Sequence, residues 1–274
     1  MKININLPFQ VNSYYNFKYT CNVESIYKSK KINETFSSIY SLGKEYDENL
    51  NKFTYIVELK EVYPTSFTIK IGLEFLLLHQ MMFGKIKFIV ENDLPTILLN
   101  YKELLTCWLT NRENIIMKYA HTHKKMIIGF DKLISNENLF KSRIFEAGVI
   151  NLIFPNVSIL NLNNRNDEYT NAYKIIPGID VFVKRNLVKS DSIWLPNQSI
   201  KFRDLLSTCS ISNKLLEKLK YPNSIIDETK EIDFESDSQF DYNFNKDLVR
   251  IYKKIFFKLK DYIQLSSTEE LIFI

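Results

Sequence analysis

The chain has 274 residues, 45% hydrophobic and 14% aromatic, with 20 Phe and 16 Tyr, which excludes a disordered chain and supplies a core that needs no disulfide staples. Lys and Arg number 36 against 32 Asp and Glu, and the formal net charge of +4 is too small for this length to imply a nucleic-acid partner. With only 6 Gly and 7 Pro, turns fall to Asn, Asp, Ser and Lys, and glycine-rich phosphate loops are disfavoured.

The amino-terminal stretch MKININLPFQVNSYYNF has no continuous apolar run and no small-residue cleavage site, so no signal peptide is expected. From Tyr15 to Tyr27 the odd positions are mostly apolar and the even ones polar, the period of a half-buried strand. A second strand is predicted around Phe36 to Tyr40. A third runs from Phe53 to Tyr63, with Phe53, Tyr55, Val57 and Leu59 on one face, before Pro64 stops the ladder. Residues 1–64 thus read as an antiparallel sheet.

After Pro64, Phe67, Ile71, Phe75, Leu78 and Met82 recur at helical spacing. This segment to Phe83 is interrupted by Lys70, Glu74 and His79 and is short for a membrane span, so it reads as a buried helix ending at Gly84. KIKFIVEN (85–92) follows as a strand. Asn92 or Asp93 is placed to cap a helix with Pro95 in its first turn. The stripe Ile97, Leu98, Tyr101, Leu104, Leu105, Trp108, Leu109, Ile115, Ile116 and Tyr119 predicts that helix, with Trp108 buried against the sheet together with Leu104, Leu105 and Leu109. Helix continues through KKMIIGFDKLIS (124–135) and again from Asn136 to Phe154, where Pro155 ends it.

Beyond Pro155, VSILNL (157–162), TNAYKII (170–176) and IDVFVKRN (179–186) return to strand pattern, and NKLLEKLKY (213–221) reads as a short helix. QFDYNFNKDLVRIYKKIFFKL (239–259) reads as a hairpin turning at Asn245 to Asp247. No Gly/Ser/Pro-rich linker separates these blocks. The expectation is one α+β domain over 1–274, with strands over 1–64, helices over 65–154, and strands with a short helix over 155–274. The two sheet portions would share a central helical layer.

The segment FGKIKFIVENDLPTILLNYKELLTCW places Gly84, Ile86, Ile89 and Trp108 where a group of uncharacterised Bacteroidetes proteins carries them, and so resembles that group. In it a G-x-I-x-x-I-x-N segment leads into a Trp-bearing helix. Here Glu91-Asn92-Asp93 stands at the Asn of that pattern. The resemblance spans Phe53 to Phe154 and implies no activity. The strand–helix–strand arrangement is also similar to curved-sheet lipoprotein carriers, a likeness of fold that transfers no residue roles.

Candidate chemistry is sparse. His121 and His123 alternate around Thr122, but no Cys, Asp or Glu stands beside them, so they read as solvated residues at a helix end. Asp233, Glu235 and Asp237 alternate, yet Ser238 and Phe244 occupy the positions where a calcium loop needs Gly and Glu, so the run reads as a solvated strand face or loop. No G-x-S-x-G occurs, and Cys21, Cys107 and Cys209 lack the context of a reactive thiol. Their odd number and wide spacing fit free thiols in a reducing compartment. Glu74 and His79 are polar residues in an apolar helix, five apart and so on different faces. Arg250, Lys253, Lys254, Lys258 and Lys260 alternate with aromatics, as in a single-strand nucleic-acid platform or a strand with one wet face.

No catalytic, cofactor-binding or metal-binding residue is therefore assigned and no cofactor is implied. The composition favours a non-enzymatic cytoplasmic protein whose partner is another protein, as an adaptor, an immunity protein or a component of a larger assembly. The alternatives are a carrier of an apolar ligand such as a lipid, walled by Phe75, Leu78 and Met82 with Met81 near them, and an enzyme whose site only the fold reveals.

Overall fold

In the computed structural model the described residues are 10–27, 30–64, 84–91, 94–146, 148–154, 170–176, 179–190, 199–211, 232–243, 248–260 and 262–274. They form eleven strands: β1 (Ser13–Tyr27), β2 (Lys30–Asp47), β3 (Lys52–Pro64), β4 (Lys85–Glu91), β5 (Leu94–Leu98), β6 (Thr170–Ile176), β7 (Ile179–Ser190), β8 (Ser199–Ile211), β9 (Ile232–Tyr242), β10 (Leu248–Leu259) and β11 (Ile263–Phe273). Helices α1 (Tyr101–Ile134), α2 (Glu137–Glu146) and α3 (Gly148–Ile153) lie between β5 and β6 in the chain. The strands follow the order β5-β4-β3-β2-β1-β11-β10-β9-β8-β7-β6 in one sheet. Every pairing whose register is resolved is antiparallel.

The expected α+β body with a shared central helical layer is thereby corrected: this is mainly one antiparallel sheet with few helices. The chain divides into two compact units, the first comprising Met1–Leu7, Cys21–Thr35 and Ile159–Glu270, the second Pro8–Thr20, Phe36–Ser158 and Leu271–Ile274. All described helices belong to the second. Among the described residues the core cluster of the first unit consists of strand residues alone, including Val181, Val183, Cys209, Phe234, Phe257 and Leu259. Its cross-strand pairs, Phe234 with Phe257 and Ile232 with Leu259, do the packing that the sequence pattern assigns to a helical layer.

In the second unit the β2–β3 turn is set by Asp47, whose Oδ1 accepts the N–H groups of Asn49 at 3.0 Å and Leu50 at 3.1 Å. Asn51 takes a left-handed φ of 50°, which Asn tolerates better than most residues. The register then pairs Tyr40 with Leu59, Leu42 with Val57, Lys44 with Tyr55 and Tyr46 with Phe53.

Two expectations about the helical region fail. Leu94–Leu98 is strand β5 rather than the start of a helix, and Pro95 is accommodated because an edge strand need not supply its N–H to a neighbour. The helix begins beyond Asn100, and Asn92 and Asp93 lie outside the described residues. Asn100 makes no side-chain cap bond; its amide accepts the Lys87 N–H at 2.9 Å and donates to the Lys85 carbonyl at 2.7 Å. That clamps the helix start to β4. Trp108 is 1% exposed and Leu104 buried as expected, but Trp108 packs edge-on to Phe130 of its own helix, Leu105 is only partly buried, and Leu109 is 60% exposed, because the next residue along points about 100° further round the helix.

α1 is one continuous helical run that takes in nearly all of the segment 124–135, yet it is not a straight rod. Tyr101 Oη donates to the Ile134 carbonyl at 2.7 Å, although 33 steps of straight helix would separate them by roughly 50 Å. Arg112 Nη2 reaches Asp131 Oδ2 at 2.8 Å, against roughly 28 Å in a rod. The helical path therefore reverses between Arg112 and Asp131, and both arms bury one cluster that includes Leu104, Trp108, Ile115, Ile127 and Ile134.

The segments 67–83, 157–162 and 213–221 and the turn at Asn245 to Asp247 lie outside the described residues, as do Phe75, Leu78, Met81 and Met82 of the expected carrier wall. No helix among the described residues is long and apolar enough to cross a membrane.

Candidate functional site: an aromatic file at the β2–β3 hairpin

Alternation puts Tyr40, Leu42, Lys44 and Tyr46 of β2 on one face with Leu59, Val57, Tyr55 and Phe53 of β3. Within this face an aromatic file runs from the core to solvent. Phe88 of β4 lies 5.6 Å from Phe145 and 5.6 Å from Phe154 between ring centroids, and Tyr55 lies 5.2 Å from Phe154 edge-on and 6.0 Å from Phe88. α2 and the residue following α3 thus cover the inner end. Further out the Lys44 ammonium sits 5.6 Å from the Tyr55 ring centroid and 4.5 Å from that of Phe53, and Phe53 meets Tyr46 edge-on at 5.4 Å.

At that outer end cover runs out. Tyr46 and Phe53 are each 43% exposed, and Leu50 in the turn is exposed as well. The Tyr46 hydroxyl bonds Asn51 Oδ1, which fixes the ring over the turn. Lys44 is the one charged side chain among the eight paired positions of the face. No carboxylate among the described residues pairs with it.

The opposite face of the same hairpin carries its charged residues, Glu45, Asp47, Lys52 and Glu58, each with a partner. Tyr14 of β1 lies against Gly43, where a Cβ would come within 2.5 Å of the ring, so the ring can sit this close only because position 43 has no side chain. The Tyr14 hydroxyl donates to Glu45, and that bond to a carboxylate, with burial adding to it, pushes the phenol up to about 12. Lys52 meets Glu91 at 2.6 Å, and Glu58 meets Lys60 at 2.9 Å and Lys85 at 3.7 Å.

The first unit carries a different surface. Asp233, Glu235 and Asp237 stand on one face of β9 opposite Lys258, Phe256 and Lys254 of β10, a wet strand face and not a loop. Arg203 holds Asp237 through Nε at 2.8 Å, and Arg250 reaches Glu270 at 2.6 Å and Asp241 at 3.7 Å. Both signs alternate across the strands, unlike a uniformly basic nucleic-acid groove. An open hollow of ≈ 240 Å³ between Glu24, Glu235, Asp237, Lys254 and Phe256 is smaller than small-molecule sites of roughly 300–1,000 Å³.

The other candidate residues are scattered. His121 is exposed within α1 rather than at its end, and the His123 side chain lies outside the described residues, as do Glu74 and His79. Cys21 and Cys209 are buried and Cys107 is partly buried, none of them in a disulfide. No group of three metal-ligating side chains occurs among the described residues. Sequence pattern alone does not mark Tyr46, and Phe53 reads there as core. The signal for both is the turn Asp47 to Asn51, which places a cross-strand aromatic pair at a hairpin end. No protein-family model and no curated protein matches this chain.

Proposed function

We propose that this chain is a non-catalytic, cytoplasmic protein-binding protein, an adaptor or assembly component, that docks its partner on the outer end of the aromatic file. The observation that carries this reading is the exposed Tyr46–Phe53 pair beside the Lys44 cation. Exposed Tyr and Phe are enriched at protein interfaces, and Tyr is among the residues that dominate their binding energy; these two are backed by a packed interior, so little order is lost when a partner covers them. The odd number and wide spacing of the cysteines at 21, 107 and 209 suit a reducing compartment.

The test is affinity purification from source cells of the intact chain and of the Tyr46→Ala/Phe53→Ala variant. A protein retained in stoichiometric amount by the wild type and lost by the variant, with thermal unfolding unchanged, supports docking at this end. Equal retention by both would place the partner elsewhere.

A further inference from the structure

Lys44 is an anomaly on its face, and its surroundings specify the chemistry of what docks there. The seven other paired positions are Tyr, Leu, Tyr, Phe, Tyr, Val and Leu, and the ammonium rests over two of their rings. While uncovered, the ammonium is free to keep water on its side away from the rings. A partner seated on Tyr46 and Phe53 strips that water away, and an apolar partner would leave a desolvated cation without a counter-charge, which is costly.

The paired strand positions of the hairpin offer no carboxylate to that face. Glu45 and Asp47 project to the opposite side by strand alternation. There Glu45 accepts the Tyr14 hydroxyl, and Asp47 accepts two turn N–H groups. Glu58 and Glu91, also on that opposite side, are held by lysines.

Deepening the docking reading, on which it rests, we infer that the partner presents an acidic peptide segment. One carboxylate pairs with Lys44, and flanking apolar side chains cover Tyr46, Phe53 and Leu50. A carboxylate set beside a cation that already lies on aromatic rings gains a charge-assisted bond in a site with little water. The register places that anion between the Tyr55 and Phe53 rings, one residue pair inward of Tyr46.

The experiment selects peptides from a random-peptide phage library on the immobilised full chain, in parallel on Lys44→Glu and on Phe53→Ala, each first checked for the wild-type thermal transition. The wild type is expected to enrich peptides in which Asp or Glu adjoins Leu, Phe or Trp. Their binding should fall by about tenfold or more on Lys44→Gln and weaken as salt is raised. Lys44→Glu should enrich Lys or Arg at the same place, and Phe53→Ala should lose both sets. Peptides that need Phe53 yet show no acidic preference, or keep it on Lys44→Glu, would overturn the acidic-partner inference while leaving the docking surface in place. Selection of nothing that depends on Phe53 would overturn both.

Discussion

Trp108 Nε1 donates a hydrogen bond to Asp131 Oδ1 at 2.9 Å, joining residues 23 positions apart within one helical element. Arg112 adds two bonds to the same carboxylate, from Nε and Nη2, both at 2.8 Å. With Trp108 edge-on to Phe130 at 4.6 Å, this pin fixes the two arms of α1 against each other. Trp108→Ala should cost about 3–5 kcal/mol, the range for a buried large aromatic. Trp108→Phe keeps most of the ring and loses one bond to a charged group, about 1.5–3 kcal/mol. Urea unfolding of the three proteins measures both; an unchanged midpoint in Trp108→Ala would contradict the burial.

The reversal of α1 has a direct geometric test. Spin labels at positions 102 and 132, in a background with the native cysteines replaced, would stand roughly 45 Å apart on a straight helix. Folded back, the labels lie about 10–20 Å apart, one helix-packing distance plus their linkers. Pulsed electron resonance separates the two.

Acid should loosen this pin. The hydrogen bonds from Arg112, and secondarily that from Trp108, hold the Asp131 carboxyl below its ordinary value, outweighing desolvation, which pushes the other way. A depressed folded-state pKa contributes stability that is fully present above the unfolded value, 3.8, and is lost as pH falls through the folded value. The stability gap between wild type and Asp131→Asn should therefore be constant near neutrality and shrink below about pH 4. Melting temperatures of both proteins between neutrality and strong acid read this out, and a gap that widens on acidification would refute it.

Gly43→Ala should displace the Tyr14 ring, since the new methyl would meet it. With the Glu45 bond broken, the Tyr14 phenol should fall from about 12 toward its ordinary value of about 10. The ultraviolet difference titration of the two proteins should show one extra tyrosine ionising at the lower pH. Superimposable titrations would mean that the ring does not depend on Gly43.

Much of the sheet is legible in the sequence wherever one face is cleanly apolar, as along β1, β3 and the β9–β10 hairpin. The pattern hides where buried positions are polar or small. In β2 the predicted stretch Phe36 to Tyr40 is a fraction of an 18-residue strand, because Ser37, Ser38, Ser41 and Gly43 are buried and blur the period of two. β8 and β11 escape notice for the same reason, with Asp204 and Ser267 buried among their apolar residues. β5 is mistaken for a helix start because Asn-Asp followed by Pro imitates a cap, and five residues are too few for alternation to declare itself. The α1 reversal leaves no mark, since both arms share one helical period.

The docking end is hidden for a different reason. Phe53 and Tyr46 obey the same alternation as the buried residues behind them, and period reports which side a residue faces but not how far the cover on that side extends. Only the placement of α2 and the end of α3 over Phe88 and Tyr55 shows that the outer pair is left bare.

The most direct measurement of the central claim places a photo-crosslinking phenylalanine analogue at position 53 and, in a second protein, at Met117, which is 75% exposed on α1. Both are irradiated in source cells. Docking at the hairpin predicts one discrete protein adduct from position 53 and none from position 117. An adduct from 117 alone, or none from 53, would contradict the assignment of the aromatic file as the binding surface.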